Sequence, residues 1–117
     1  MKRRVAKLVG KKEFGFFEEE IRELRDDEIL IEMMSVGLCH SDIPAYFGTS
    51  RMGFHRNGYE AMERELVYPM ELGHEPVGKV VQIGKKVTRF QVNDLVTGVA
   101  AGCFATHMIV SENDRWM

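Results

Sequence analysis

No stretch of the 117-residue chain approaches the roughly 20 apolar residues needed to span a bilayer. The basic opening Lys2-Arg3-Arg4 is not followed by the apolar core of a signal peptide, because Gly10-Lys11-Lys12-Glu13 interrupts the hydrophobic run. Strong net charge is missing as well: a formal −2 gives no electrostatic reason to expect nucleic acid or an anionic membrane as a partner. There are only two cysteines, Cys39 and Cys103, which is unlike a disulfide-rich secreted scaffold. No repeat, low-complexity tract or Pro- or Ser-rich linker interrupts the chain. A dinucleotide fingerprint G-x-G-x-x-G is also missing. The glycines at 73, 78 and 84 have the wrong spacing for it, and no suitable helices separate the strands. These absences point to a cytoplasmic protein with no nucleic-acid or membrane partner.

What is present suits a single folded domain, with 44% apolar and 29% charged residues. The length is well above the limit of about 40 residues below which folds need staples. Short strands are expected at Val5 to Val9, Phe14 to Ile21, Glu28 to Gly37, Val77 to Ile83, Leu95 to Val99 and Phe104 to Val110. In Glu28 to Gly37 both parities carry apolar residues, so that strand is expected to be covered on both faces over part of its length. Ser41 or Asp42 is placed to cap one helical turn reaching Tyr46. The span from Gly48 to Pro69 is the least regular, with a short helix expected at Tyr59 to Glu65. The sum is a mainly β domain, a barrel or strongly twisted sheet with one or two short helices.

Two segments offer chemistry, Cys39-His40-Ser41-Asp42 and Gly73-His74-Glu75. A thiolate from Cys39, an imidazole from His74 and a carboxylate from Glu75 are the ligand types that zinc takes in tetrahedral sites. Asp42 suits the carboxylate that receives the other N–H of a ligating imidazole. Cys39 and His74 stand 35 residues apart, however, and local zinc motifs present their ligands in close pairs. On residues alone, a buried cysteine and a hydrogen-bonded core histidine remain an open alternative. Cys103 reads as an ordinary small buried residue, and His55 and His107 as structural or solvent-facing.

The run Val36-Gly37-Leu38-Cys39-His40-Ser41-Asp42 resembles the V-G-x-C-H/R/G-S/T-D segment of zinc-dependent medium-chain alcohol dehydrogenases. Leu72-Gly73-His74-Glu75-Pro76-Val77-Gly78 is similar to their L-G-H-E-x-x-G. Lys79-Val80-Val81-Gln82-Ile83-Gly84 looks like their following strand and turn. Val87 to Val96 looks like V-x-x-F-x-x-G-D-x-V. The four segments fall in the family's order and cover almost the whole chain. The resemblance implies a GroES-like β-barrel, the N-terminal catalytic domain of that family, spanning residues 1–117 with the nucleotide-binding domain absent. It implies Cys39 and His74 as ligands of one catalytic zinc, with Glu75 able to approach the metal. It further implies Asp42 as the acid orienting His74, Ser41 as the start of a proton relay and His40 beside the cofactor diphosphate. The implied reaction is hydride transfer between a small alcohol or carbonyl substrate and NAD or NADP, in an enzyme that is a homo-oligomer when full length. A non-enzymatic GroES-like module is the competing reading, and a zinc-independent quinone-reductase relative a third.

Several positions depart from the family pattern. The third protein ligand to the zinc comes from outside the matched segments, so the isolated chain is expected to hold zinc weakly and to be inactive. Val99 to Phe104 runs directly between strands where relatives insert a four-cysteine lobe, which limits the expectation to one zinc. Asn93 replaces a glycine before Asp94, a position that asparagine tolerates because it enters left-handed conformations readily.

Overall fold

Two runs on either side of the turn at Gly10-Lys11-Lys12 form a hairpin in the computed structural model, which describes residues 1–38, 42–48, 51–52, 62–63 and 68–114. Strand β1 (Lys2–Gly10) and strand β2 (Glu13–Glu20) pair antiparallel with Val5 opposite Phe17 and Leu8 opposite Phe14. Charge complementarity reinforces the register: Glu19 lies 2.9 Å from Arg3 and 2.7 Å from Lys7. Hydrogen bonds from Lys7 and then Arg3 hold the Glu19 carboxyl below its ordinary pKa.

The longest apolar run becomes β3 (Glu28–Gly37), followed by helix α1 (Ile43–Tyr46) and the two-residue ribbon β4 (Arg51–Met52) and β5 (Met62–Glu63). Strand β6 (Met70–Glu71) then adds to the free edge of β1, which gives a first sheet of order β2-β1-β6. Strands β7 (Glu75–Ile83), β8 (Leu95–Thr97) and β9 (His107–Ser111) build a second sheet of order β8-β7-β3-β9. All pairings are antiparallel. No helix among the described residues is long and apolar enough to cross a membrane.

Because β3 is central, both its faces are covered, as the mixed parity predicts: Ile29, Leu30 and Ile31 are all essentially inaccessible. Ile29 and Ile31 pack with Val80, Val96, Cys103, Met108 and Val110 in the larger core. A smaller core joins Leu8 of β1, Ala45 of α1 and Leu72. Full burial of each Leu, Ile, Val or Met side chain in these clusters contributes about 1.5–3 kcal/mol.

The mainly β, GroES-like reading holds, but the described strands do not close into a barrel. Residues 104–106 seam the two sheets instead. The amide of Ala6 donates to the Phe104 carbonyl, and that of Thr106 to the Arg4 carbonyl, both at 2.8 Å. The amide of Met33 in β3 donates to the Thr106 carbonyl, also at 2.8 Å. Three other expectations change. The last two strands are shorter than expected, β9 beginning at His107 because the residues before it serve the seam. Met62–Glu63, expected in a helix, forms a strand paired with Arg51–Met52, and the rest of that expected helix lies outside the described residues. Strand β6 carries too few residues to show a period. At Asn93 the backbone is left-handed, with φ +80°, as the substitution of asparagine for glycine anticipates.

Glu28 opens β3 and anchors the loop before it. Its carboxylate accepts both terminal nitrogens of Arg22, at 2.7 and 2.8 Å, and the Arg25 amide at 2.7 Å. Gly84 closes against the same loop, where a Cβ would come within 2.2 Å of the Arg25 carbonyl oxygen. The Arg22 guanidinium holds the Glu28 carboxyl at about 2, against an ordinary 4.5. The unfolded carboxyl therefore takes up a proton first as pH falls. The stability from this group is complete above about pH 4.5 and drains away toward about pH 2. The denaturation midpoint should decline across that window more steeply in the native chain than in Glu28→Gln. Parallel declines would show that the pair contributes nothing to acid sensitivity.

Candidate metal and catalytic site

The chain from Leu72 to Glu75 links β6 to β7 and is held along its length by the residues that approach the seam. Ala100, Cys103 and Phe104 donate their amides to the carbonyls of His74, Gly73 and Leu72 at 3.1, 3.2 and 3.3 Å. Three successive carbonyls are thus satisfied, so a segment with no regular structure of its own acquires a defined path. Gly73 adopts φ +90°, a region that side-chain-bearing residues rarely enter. The Phe104 ring fills the space a side chain would need there, with its Cδ1 2.6 Å from the position of a Cβ.

Asp42 meets this segment from the other side. It occupies the N-cap position of α1, as expected, but its side chain makes no cap hydrogen bond, so the capping expectation fails at this residue. The carboxylate turns to the 73–74 backbone instead: Oδ1 accepts the Gly73 amide at 3.4 Å and stands 3.6 Å from His74 Nδ1, an ion-pair distance. Only 6% of Asp42 is exposed, so those partners offset the cost of desolvating a carboxylate. An apolar cavity of about 230 Å³, walled by Phe14, Leu38, Tyr46 and Phe104 among others, borders Asp42 on one side.

His74 is partly exposed, and an imidazole held through Nδ1 presents Nε2 on the far side of the ring. Glu75 follows at the start of β7 and pairs in register with Gly37. A Cβ on Gly37 would sit 3.3 Å from Glu75 Oε2, which places the carboxylate over the end of β3.

Of the expected site residues, the structure therefore brings Asp42 and His74 together, with Glu75 next in the chain at the start of β7. Cys39, His40 and Ser41 lie outside the described residues, as does His55. Among the described residues no three His, Cys, Asp or Glu side chains cluster to hold a metal ion. His107 stands apart from the site, 3.8 Å from Glu32 across β3 and β9. Cys103 is wholly buried, as expected of a small core residue, and carries a free thiol. Its place was not legible in the sequence: it packs behind the 73–75 segment. Burial foremost, with the Asp42 and Glu75 carboxylates adding to it, pushes its thiol pKa up and keeps it protonated. Phe104 was missed in the same way, because nothing within its own neighbourhood of sequence points to Gly73.

Residues 25–116 match the alcohol dehydrogenase GroES-like domain family. A probable cinnamyl alcohol dehydrogenase from Populus deltoides is 35% identical over 98 residues, covering 82% of this chain and 24% of that protein. One from Aralia cordata is 36% identical over 87 residues, covering 74% of this chain and 21% of that protein. The chain thus spans about a quarter of the length of the curated relatives it matches. Among solved structures, the CAD from Helicobacter pylori complexed with NADP(H) superposes with a TM-score of 0.74 at 20% identity, over 96% of this chain and 40% of that one. Galactitol-1-phosphate dehydrogenase from Escherichia coli gives a TM-score of 0.71 at 22% identity, over 93% of this chain and 36% of that one. At such identities these two structures bear on the fold alone. The match over residues 25–116, with relatives above 30% identity, establishes that the chain belongs to the alcohol dehydrogenase GroES-like domain family.

Proposed function

We propose that this chain is the zinc- and substrate-binding domain of a cytoplasmic, NAD(P)-dependent oxidoreductase that interconverts alcohols and carbonyl compounds. The observation that carries the reading is the anchoring of both flanks of residues 39–41 on one short segment. Gly37 pairs with Glu75, and Asp42 receives the Gly73 amide while facing His74. A ligand at Cys39 and one at His74 would then share a site even though 35 residues separate them in sequence. The donor chemistry fits zinc, which takes thiolate, imidazole and carboxylate ligands. The Asp42–His74 pair fits the arrangement in which a carboxylate fixes the ring orientation of a ligating histidine.

In this reading Cys39 and His74 would hold the metal, with Glu75, at the start of β7, as the carboxylate able to approach it. Zinc, when bound, supplies the Lewis acidity that makes an alcohol easier to ionise. Ser41 accepts the substrate proton and passes it toward solvent, and Asp42 keeps the His74 imidazole aimed. His40 would lie beside the diphosphate of a nicotinamide cofactor, which when bound would supply the hydride-accepting ring. The sequence contains no dinucleotide fingerprint, so the cofactor's main binding domain and the third zinc ligand are supplied from elsewhere. The isolated chain is accordingly inactive, and the complete enzyme is a homo-oligomer.

Zinc titration of the reduced chain tests the ligand set. One zinc per chain is expected, with no measurable binding by Cys39→Ala and binding retained by Cys103→Ala. Asp42→Asn should weaken affinity about 10- to 100-fold. Equal loss from the two cysteine variants would refute the assignment. Joining the chain to a compatible nucleotide-binding domain should yield alcohol-dependent nicotinamide reduction. A folded, zinc-loaded chimera with no turnover across a broad alcohol panel would count against the enzymatic reading.

A further inference from the structure

The structure assigns a positioning role to Phe104: its ring braces the turn at Gly73 and, through two further rings, the helix that carries Asp42. As a role in metal binding, this rests on the reading of His74 as a ligand. The turn takes a conformation open to glycine, with Gly73 at φ +90°, and its one amide donates to Asp42 at 3.4 Å. A hydrogen bond of this length is weak by itself, so the packing around its two partners carries much of their placement. Phe104 supplies the support on the Gly73 side, where three of its ring carbons lie 2.6–3.1 Å from where a Cβ would stand. The ring has little freedom of its own. Its backbone is tied on both sides, the amide to Leu72 at 3.3 Å and the carbonyl to Ala6 at 2.8 Å.

The support continues to the other partner. Phe104 meets Phe14 edge-on at 6.3 Å between ring centroids, and Phe14 stacks on Tyr46 at 5.9 Å. Tyr46 ends α1, the helix that Asp42 begins. Three rings from three separate parts of the chain therefore connect the turn before His74 to the helix after Asp42. Each aromatic contact has a preferred geometry, which a pair of aliphatic side chains would not impose. The consequence is a fixed separation between the Asp42 carboxylate and the His74 imidazole. Phe104 touches neither metal nor substrate in this scheme and acts only through those two residues.

The test is amide hydrogen exchange at Gly73 in the metal-free chain, read against the core amide of Val80, together with zinc affinity. In Phe104→Leu the Gly73 amide should exchange roughly tenfold faster relative to Val80, because a local opening is made easier without a matching global one. Zinc affinity should fall about tenfold in the same variant, in the range found for residues that orient a ligand. Phe104→Tyr, which keeps the ring, should stay near the native chain in both measurements. Phe14→Leu, at the middle of the three rings, should act in the same direction with a smaller effect, and serves if Phe104→Leu does not fold. Equal acceleration at Gly73 and Val80 would reduce Phe104 to a general core residue, and unchanged Gly73 exchange in both leucine variants would overturn the brace outright. Selective loss at Gly73 in a chain whose native form takes up no zinc would uphold the brace and remove the metal reading.

Discussion

Three amides from the approach to the seam, those of Ala100, Cys103 and Phe104, meet three carbonyls of the His74, Gly73 and Leu72 backbone, and the site depends on this clasp. A chain that crosses between two sheets without a strand's own ladder must find partners for each polar group or forfeit stability. Here the partners come from the next crossing, residues 100–106, which also seam the first sheet to the second. One stretch of backbone thus joins the sheets and sets the path of the segment that holds His74. Core and site are mechanically the same object.

Electrostatics follows from that geometry. Asp42 is a buried carboxylate, tolerable only beside partners, and among them are the Gly73 amide, which donates to it, and His74, whose Nδ1 stands 3.6 Å away. Cys103 illustrates the opposite outcome in the same region. Its thiol is buried with two carboxylates nearby, so it stays neutral and contributes volume rather than charge. Two residues that composition presents as possible chemistry are thereby sorted: the acid faces the histidine, and the thiol fills the core.

Much of the fold was legible locally. The boundaries of β3 follow from the run Glu28 to Gly37, and the left-handed turn at Asn93 from the residue's own tolerance. The failures share a cause. Strand β6 consists of two residues, and its identity comes from pairing with Lys7 and Leu8. The helix expected around Met62 had only a weak local preference behind it, and backbone pairing with Met52, ten residues earlier, prevailed at that point. Barrel closure is a property of sheet edges meeting in space, which no window of sequence contains.

By itself the sequence determined which donors exist and in what order: a thiol at 39, an acid at 42, a histidine and an acid at 74 and 75, each on a segment whose local pattern is β or turn. It determined the six longer strands as well, though not β4, β5 or β6, because apolar runs and the turns that bound them are read within a few residues. Only the tertiary structure decided that Asp42 would forgo its helix cap to face His74, and that the space beside Gly73 would belong to Phe104. Those partners lie about thirty residues apart. Which of them meet is set by strand register and by the seam between the sheets, and both are decided by the whole core at once.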